Sequence, residues 1–185
     1  QPFDKSRKGI CIGEAAAAVI VSKEKLPTAP FSVIYCGGSS SNDANHISGP
    51  SRKGEGLFRS VNKTIERSEV DPATIDYISA HGTGTLYNDE MESIAFDRLG
   101  MTHIPLNSYK GYFGHTLGAA GIIEVMASMI TMEKNILFKS IGFEETGTSC
   151  PLNVITETKS HQVNTILKTA SGFGGGNASL ILTKE

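Results

Sequence analysis

The chain has no excess of positive charge, no long apolar run and too few cysteines to build a framework. Its 17 lysines and arginines are outnumbered by 19 acidic residues, for a formal net charge of −2, and the basic residues form no run. A nucleic-acid footprint needs a basic patch, so partners of that class are not expected. The apolar runs are too short to cross a membrane, and no segment at the start reads as a secretory signal. Cys11, Cys36 and Cys150 are far apart and odd in number. That spacing argues against disulfides, favours free thiols in a reducing, cytoplasmic compartment, and leaves no Cys or His pair at zinc-ligand spacing. An initiating methionine is also missing. The chain opens on Gln1, and its first residues read as the middle of a protein.

What is present is an orderly alternation within 185 residues, 39% of them hydrophobic, enough for one core. Ala15 to Val21, small and β-branched, reads as a buried strand, and Lys23 to Pro30 as a linker. Phe31 to Cys36 reads as the next strand. A helix follows with Leu57, Phe58, Val61 and Ile65 on one face, then a strand from Ile75 to Ala80. Asp89 looks like a helix start, with Met91, Ile94, Ala95 and Leu99 inside and Gly100 as the stop. Ile104 to Asn107 is a short strand. His115 to Lys134 is a helix apolar on most sides, and so buried. After an irregular stretch, Asn164 to Ala170 and Ser179 to Thr183 flank Gly172-Phe173-Gly174-Gly175-Gly176-Asn177. The order from Phe31 is β-α-β-α-β-α-β-β. It predicts an α/β fold with a mostly parallel sheet covered by helices.

Two histidines stand out because each sits in a loop of glycines and small residues at a predicted strand end. His81 lies in Ala80-His81-Gly82-Thr83-Gly84-Thr85, and His115 in Lys110-Gly111-Tyr112-Phe113-Gly114-His115-Thr116. A lone histidine in such a loop is ordinarily a satisfied polar group. Two that follow parallel strands should meet at the carboxyl edge of the sheet, where ligands collect, and there they point to a catalytic pocket. Read without further context, Lys110 is a surface charge, Glu92 a first-turn carboxylate and Gly172–Asn177 a glycine-rich hairpin loop. No Walker lysine accompanies the glycines, so a phosphate cradle is not expected. His46, His103 and His161 read as ordinary polar residues.

In combination these motifs resemble the C-terminal part of a β-ketoacyl-[acyl-carrier-protein] synthase, a condensing enzyme with the thiolase-like fold. The resemblance runs from Pro2-Phe3-Asp4 and Gly13-Glu14 to the last strand. It includes His81-Gly82-Thr83-Gly84-Thr85 with Asp89 and Glu92, Lys110 five residues before His115, and Gly172-Phe173-Gly174-Gly175 with Asn177. It implies that residues 1–28 are the tail of an N-terminal ketosynthase half and 29–185 the C-terminal half. The reaction it implies is decarboxylative Claisen condensation of malonyl-carrier protein with an acyl thioester.

His81 and His115 would then donate to the thioester oxygen as its charge grows. Each ring would be neutral, with its other nitrogen held by a backbone N–H, and His115 would gain from opening a helix. Lys110 would pair with Glu92 and organise the site. Thr83 and Thr85 would meet the phosphopantetheine arm, which arrives on the carrier protein; no resident cofactor is expected. Phe173, hinged beside Gly174, would gate the acyl pocket. The implied partners are acyl carrier protein, the N-terminal half, and a second subunit in a homo- or heterodimer.

The family's nucleophilic cysteine sits on a strand-to-helix turn among small residues, and none of the three cysteines has that setting. The nucleophile is therefore expected upstream of this chain. A non-catalytic partner of the chain-length-factor type is the alternative, and a Cys–His hydrolase built on Cys150 a remote third. Ser171, where many members carry a second phenylalanine, and Leu86-Tyr87-Asn88, in place of the commoner proline-containing form, suggest a specialised branch such as a secondary-metabolite or aryl-polyene synthase.

Overall fold

The computed structural model describes residues 1–185. In chain order the elements are β1 (Val33–Asn42), α1 (Glu55–Ser68), β2 (Tyr77–Ser79), α2 (Leu86–Arg98), β3 (Leu106–Asn107), α3 (Lys110–Phe113), α4 (Ala120–Lys134), β4 (Ile136–Leu137), β5 (Lys159–Ser160), β6 (Thr165–Ser171) and β7 (Gly176–Lys184). Five strands form one sheet in the order β1-β7-β6-β2-β3, and β4 and β5 pair separately. No helix is long and apolar enough to cross a membrane.

The α/β class matches the expectation, but the sheet is mixed rather than mostly parallel. β6, β2 and β3 are parallel, whereas β7 runs antiparallel to both β6 and β1. The reversal lies in the glycine-rich loop, where Gly174 and Gly175 take φ of 79° and 78°. That left-handed backbone is open to glycine at little cost, and it turns β6 straight back into β7. The parallel part still dictates the site. Ser79 pairs with Asn107 on one side and Lys168 on the other, so β2 and β3 end side by side against β6.

Apolar residues alternate across the sheet as a pleated strand requires. Leu167 and Ile181 enter a core with Leu57 and Val61 of α1 and Met91, Ala95 and Phe96 of α2. Ile166 and Leu182 enter the opposite core with Ala127 and Met132 of α4. α2 begins at Leu86, three residues before the expected Asp89, because the Thr85 hydroxyl caps it by accepting from Asn88 N. Its stop at Gly100 holds, with φ of 70°.

One expected strand is absent. Ala15 to Val21 carries no regular structure, and Ile20 and Val21 are 81% and 86% exposed. A strand of that composition is stable when neighbours pair with it and both its faces are covered, and no residue of this chain does either. The segment before it, by contrast, is anchored. Phe3 is fully buried in the α1/α2 core and Arg7 nearly so. Arg7 Nη1 donates to the carbonyls of Asp4 (2.8 Å) and Gly147 (2.6 Å). Asp4 accepts from the Glu144 and Glu145 amides, which with Ser6 hold its carboxyl far below the usual range against the opposing effect of burial. Further on, Gly13 N donates to His115 O (3.1 Å) and His115 N donates to Cys11 O (2.7 Å). The two backbones cross so tightly that a Cβ on Gly13 would overlap the Phe113 carbonyl.

Removing the Phe3 ring should leave a cavity under α2 and unseat the segment that braces His115. Phe3→Ala is expected to cost about 3–5 kcal/mol in urea unfolding; a loss below about 1 kcal/mol would show that residues 1–13 are not part of the core.

Candidate active site

The His81 loop is shaped by two carboxylates that α2 points back towards it. Glu92 accepts from the amides of His81 (2.8 Å) and Gly82 (2.6 Å), and Asp89 from those of Thr83 (3.0 Å) and Gly84 (3.2 Å). Four successive amides are thus satisfied by two side chains one helical turn apart. Gly82 and Gly84 make this possible with φ of 41° and 73°. A Cβ on Gly82 would meet the Ser108 and Phe3 side chains. Asp89 also accepts from Phe3 N (2.7 Å), tying the chain's start to the loop. Glu92 is completed by Asn88 Nδ2 (3.0 Å) and Thr169 Oγ1 (3.1 Å).

The pairing of Lys110 with Glu92 does not form, because donors already surround Glu92. Lys110, at the start of α3, turns the other way, towards α4. Its ammonium forms an ion pair with Glu124 and donates to His81 O (2.7 Å). It also lies 3.1 Å from His81 Nδ1. An ammonium has only donors to offer, so the Nδ1 lone pair accepts and the ring proton sits on Nε2. At His115, Nδ1 accepts from Leu117 N (3.2 Å), which again leaves the proton on Nε2. The expected tautomer therefore forms in both rings. In His115 a backbone N–H holds it; in His81 a lysine does.

The two rings stand edge to face with centroids 5.3 Å apart. Burial drives the His81 pKa well below its ordinary value, and the nearby charges of Lys110 and Lys168 push the same way. His115, half-buried, is lowered by burial and then by Lys110. It does not open α4. A 3₁₀ turn at Leu117–Ala119 intervenes, so the helix end is not what keeps this ring neutral.

His81 and His115 share a cleft of ≈ 930 Å³ with Thr83, Thr85, Ser171 and Phe173. The Thr83 and Thr85 hydroxyls are 2.8 Å apart on its wall. Phe173 is 80% exposed at its mouth. Gly174 does not line the cleft; it pins the Phe173 loop instead. Gly174 N donates to Ile47 O (2.6 Å), Asn42 Nδ2 donates to Gly174 O (2.8 Å), and Asp43 N donates to Gly175 O (2.8 Å). Ser171 Oγ donates to Asn177 Oδ1 (2.8 Å) across the neck of the loop. No cysteine lines the cleft, so Cys150 does not join the histidines.

Glu124 and Lys168 were not expected, and both are almost fully buried. The signal for Glu124 was a lone carboxylate in the apolar run Ile122-Ile123-Glu124-Val125-Met126, since a buried charge requires a partner. Lys168, inside a strand-forming run, gave no such sign.

The chain as a whole is similar to known proteins. Residues 31–144 match the family described as β-ketoacyl synthase, C-terminal domain. Over 191 residues the chain is 35% identical to 3-oxoacyl-[acyl-carrier-protein] synthase 2 of Rhizobium meliloti (strain 1021), covering 100% of this chain and 45% of that protein. It is 31% identical over 190 residues to a putative polyketide β-ketoacyl synthase 1 of Streptomyces cyaneus, covering 99% of the chain and 45% of that protein. The solved structure of a ketosynthase in complex with its chain length factor from Xenorhabdus doucetiae superposes with a TM-score of 0.90 at 33% identity, over 100% of this chain and 46% of that one. The chain thus spans somewhat under half the length of the relatives it matches.

Both imidazoles should stay neutral below their ordinary value of about 6.5. The unfolded chain then takes up protons that the folded one refuses, so these two groups withdraw stability as pH falls through that value. Imidazole carbon shifts in a pH titration check this. The expected order is His81 protonating at lower pH than His115, and a His81 midpoint at or above 6.5 would contradict the geometry.

Proposed function

The chain belongs to the β-ketoacyl synthase family, and on that premise we propose that it is the C-terminal half of a condensing enzyme that extends an acyl thioester with malonyl-carrier protein. The supporting observation is the histidine pair: two neutral rings at one cleft, each with Nδ1 occupied and Nε2–H free to donate. When malonyl thioester loses CO₂, the electron pair of the broken C–C bond moves into the carbonyl and its oxygen becomes negative. Two preorganised N–H donors lower that barrier, each by about 3–4 kcal/mol. The enolate carbon then attacks the acyl carbonyl, and the thiolate that carried the acyl group leaves. That thiolate is assigned to a cysteine in the N-terminal half.

Lys110 has the role of fixing His81 as the Nε2–H tautomer, and Glu92 that of holding the loop beneath it. To Thr83 and Thr85, on the cleft wall, we assign contact with a phosphopantetheine arm delivered by acyl carrier protein, and to Phe173 the gating of the acyl pocket. Residues 1–28 are assigned as the tail of the first half, with 29–185 as the second. The exposed Ala15–Val21 stretch is suited to pair with that first half, in a homo- or heterodimeric enzyme. The three free thiols suit the reducing cytoplasm.

In the complete protein, His81→Ala and His115→Ala should each slow release of CO₂ from malonyl-carrier protein by about 10²–10³-fold. Undiminished release in both would overturn the reading. A cysteine at the nucleophile turn of the first half supports the enzyme, and its replacement a chain-length-factor type subunit instead.

A further inference from the structure

Two adjacent residues in the middle of β6 reach the two buried carboxylates on opposite faces of the sheet. Thr169 Oγ1 donates to Glu92 on the α2 side. On the α4 side Lys168 Nζ lies 2.7 Å from Glu124 Oε2, off the line of a hydrogen bond, while it donates to Ser79 O (3.2 Å) and to Thr169 O. Glu124 therefore carries a cation on each oxygen, Lys110 on Oε1 and Lys168 on Oε2, with all three side chains about 3% exposed. We propose that Lys168 is a positioning residue: from β6 it holds Glu124 in the orientation that delivers the Lys110 ammonium to His81 Nδ1. The role rests on the reading of His81 as the oxyanion donor.

The geometry leaves no substitute. A carboxylate buried against one lysine is free to rotate and take that ammonium with it. With its second oxygen fixed from the strand, it is not. Lys110 needs this restraint because its three N–H bonds go to Glu124, His81 O and His81 Nδ1, and a small swing exchanges the imidazole for the carboxylate. The nearby charges point the same way. Besides burial, Lys110 and Lys168 each push the His81 ring towards its neutral form. The groups facing His81 are Lys110 from α3, Lys168 from β6, Glu124 from α4, Glu92 from α2 beneath its amide, and the His115 ring.

The test uses the complete synthase carrying Lys168→Met, with Lys168→Arg as the charge-keeping control. In Lys168→Met the His81 ring should titrate about one unit higher and lose its single Nε2–H tautomer in ¹⁵N spectra. Lys168→Arg should restore both. The acid limb of CO₂ release by the Met variant should then move up by about one pH unit, with release much less affected at about pH 8. A folded Met variant with an unchanged His81 titration overturns the proposal. If Lys168→Met does not fold, Lys168→Gln takes its place; failure of both to fold, with Lys168→Arg intact, makes the lysine structural and equally overturns the positioning role. The ring titration needs no substrate. A shifted His81 midpoint with no change in CO₂ release therefore indicts the assigned function, not the network.

Discussion

A carboxylate taken out of water must be met on every side, and the site is organised around two that are. Glu92 and Glu124 lie on opposite faces of the sheet, both almost fully buried. Glu92 is surrounded by backbone amides, an amide side chain and a hydroxyl; Glu124 is surrounded by lysines. Burial pushes Glu92 up in pKa, with the Gly82 amide opposing it. It pushes Glu124 up as well, but Lys168 and Lys110 together bring that group below its ordinary value. The two histidines inherit their positions from these compensations. The His81 backbone hangs from Glu92, and its ring from the lysine that Glu124 holds.

Neutrality of the rings follows from the same arrangement rather than from a helix end. His81 is buried beside Lys110 and Lys168, so the imidazolium would be a third positive charge in a region with little water to screen it. Lys110 itself is pushed down by burial, an effect that the Glu124 charge opposes. An environment that disfavours added positive charge is the one in which a neutral N–H donor does its best work on a developing oxyanion.

Much of this was legible in the sequence, for reasons that differ by residue. His81 and His115 were readable because loops of Gly and Thr after apolar strands have few structural uses for a titratable side chain, whereas Lys110 stood out only through the family resemblance. α1 was readable from Leu57, Val61 and Ile65, whose spacing needs no tertiary information. Lys168 was not, because a lysine between Leu167 and Thr169 reads as a strand residue facing solvent until the packing of α4 is known. The Glu124 partnership lay hidden in a helix that is apolar on most sides, and the Glu92 pairing with Lys110 failed because local amides claimed that carboxylate first. The Ala15–Val21 strand illustrates another limit: composition reports what a segment would do with neighbours, and says nothing of whether the neighbours are present.

The ties between the Phe173 loop and the residues after β1 have a mechanical consequence. Gly174 and Gly175 are bonded to Asn42, Asp43 and Ile47 at three points, so the two segments form a single panel across the mouth of the cleft. Such a panel cannot swing at one edge alone. Any opening of the cleft there moves both walls in one cooperative step. The width of the cleft is therefore set as much by the chain around Asn42 as by the aromatic ring at its rim, and substitutions there will be felt by substrates they never touch.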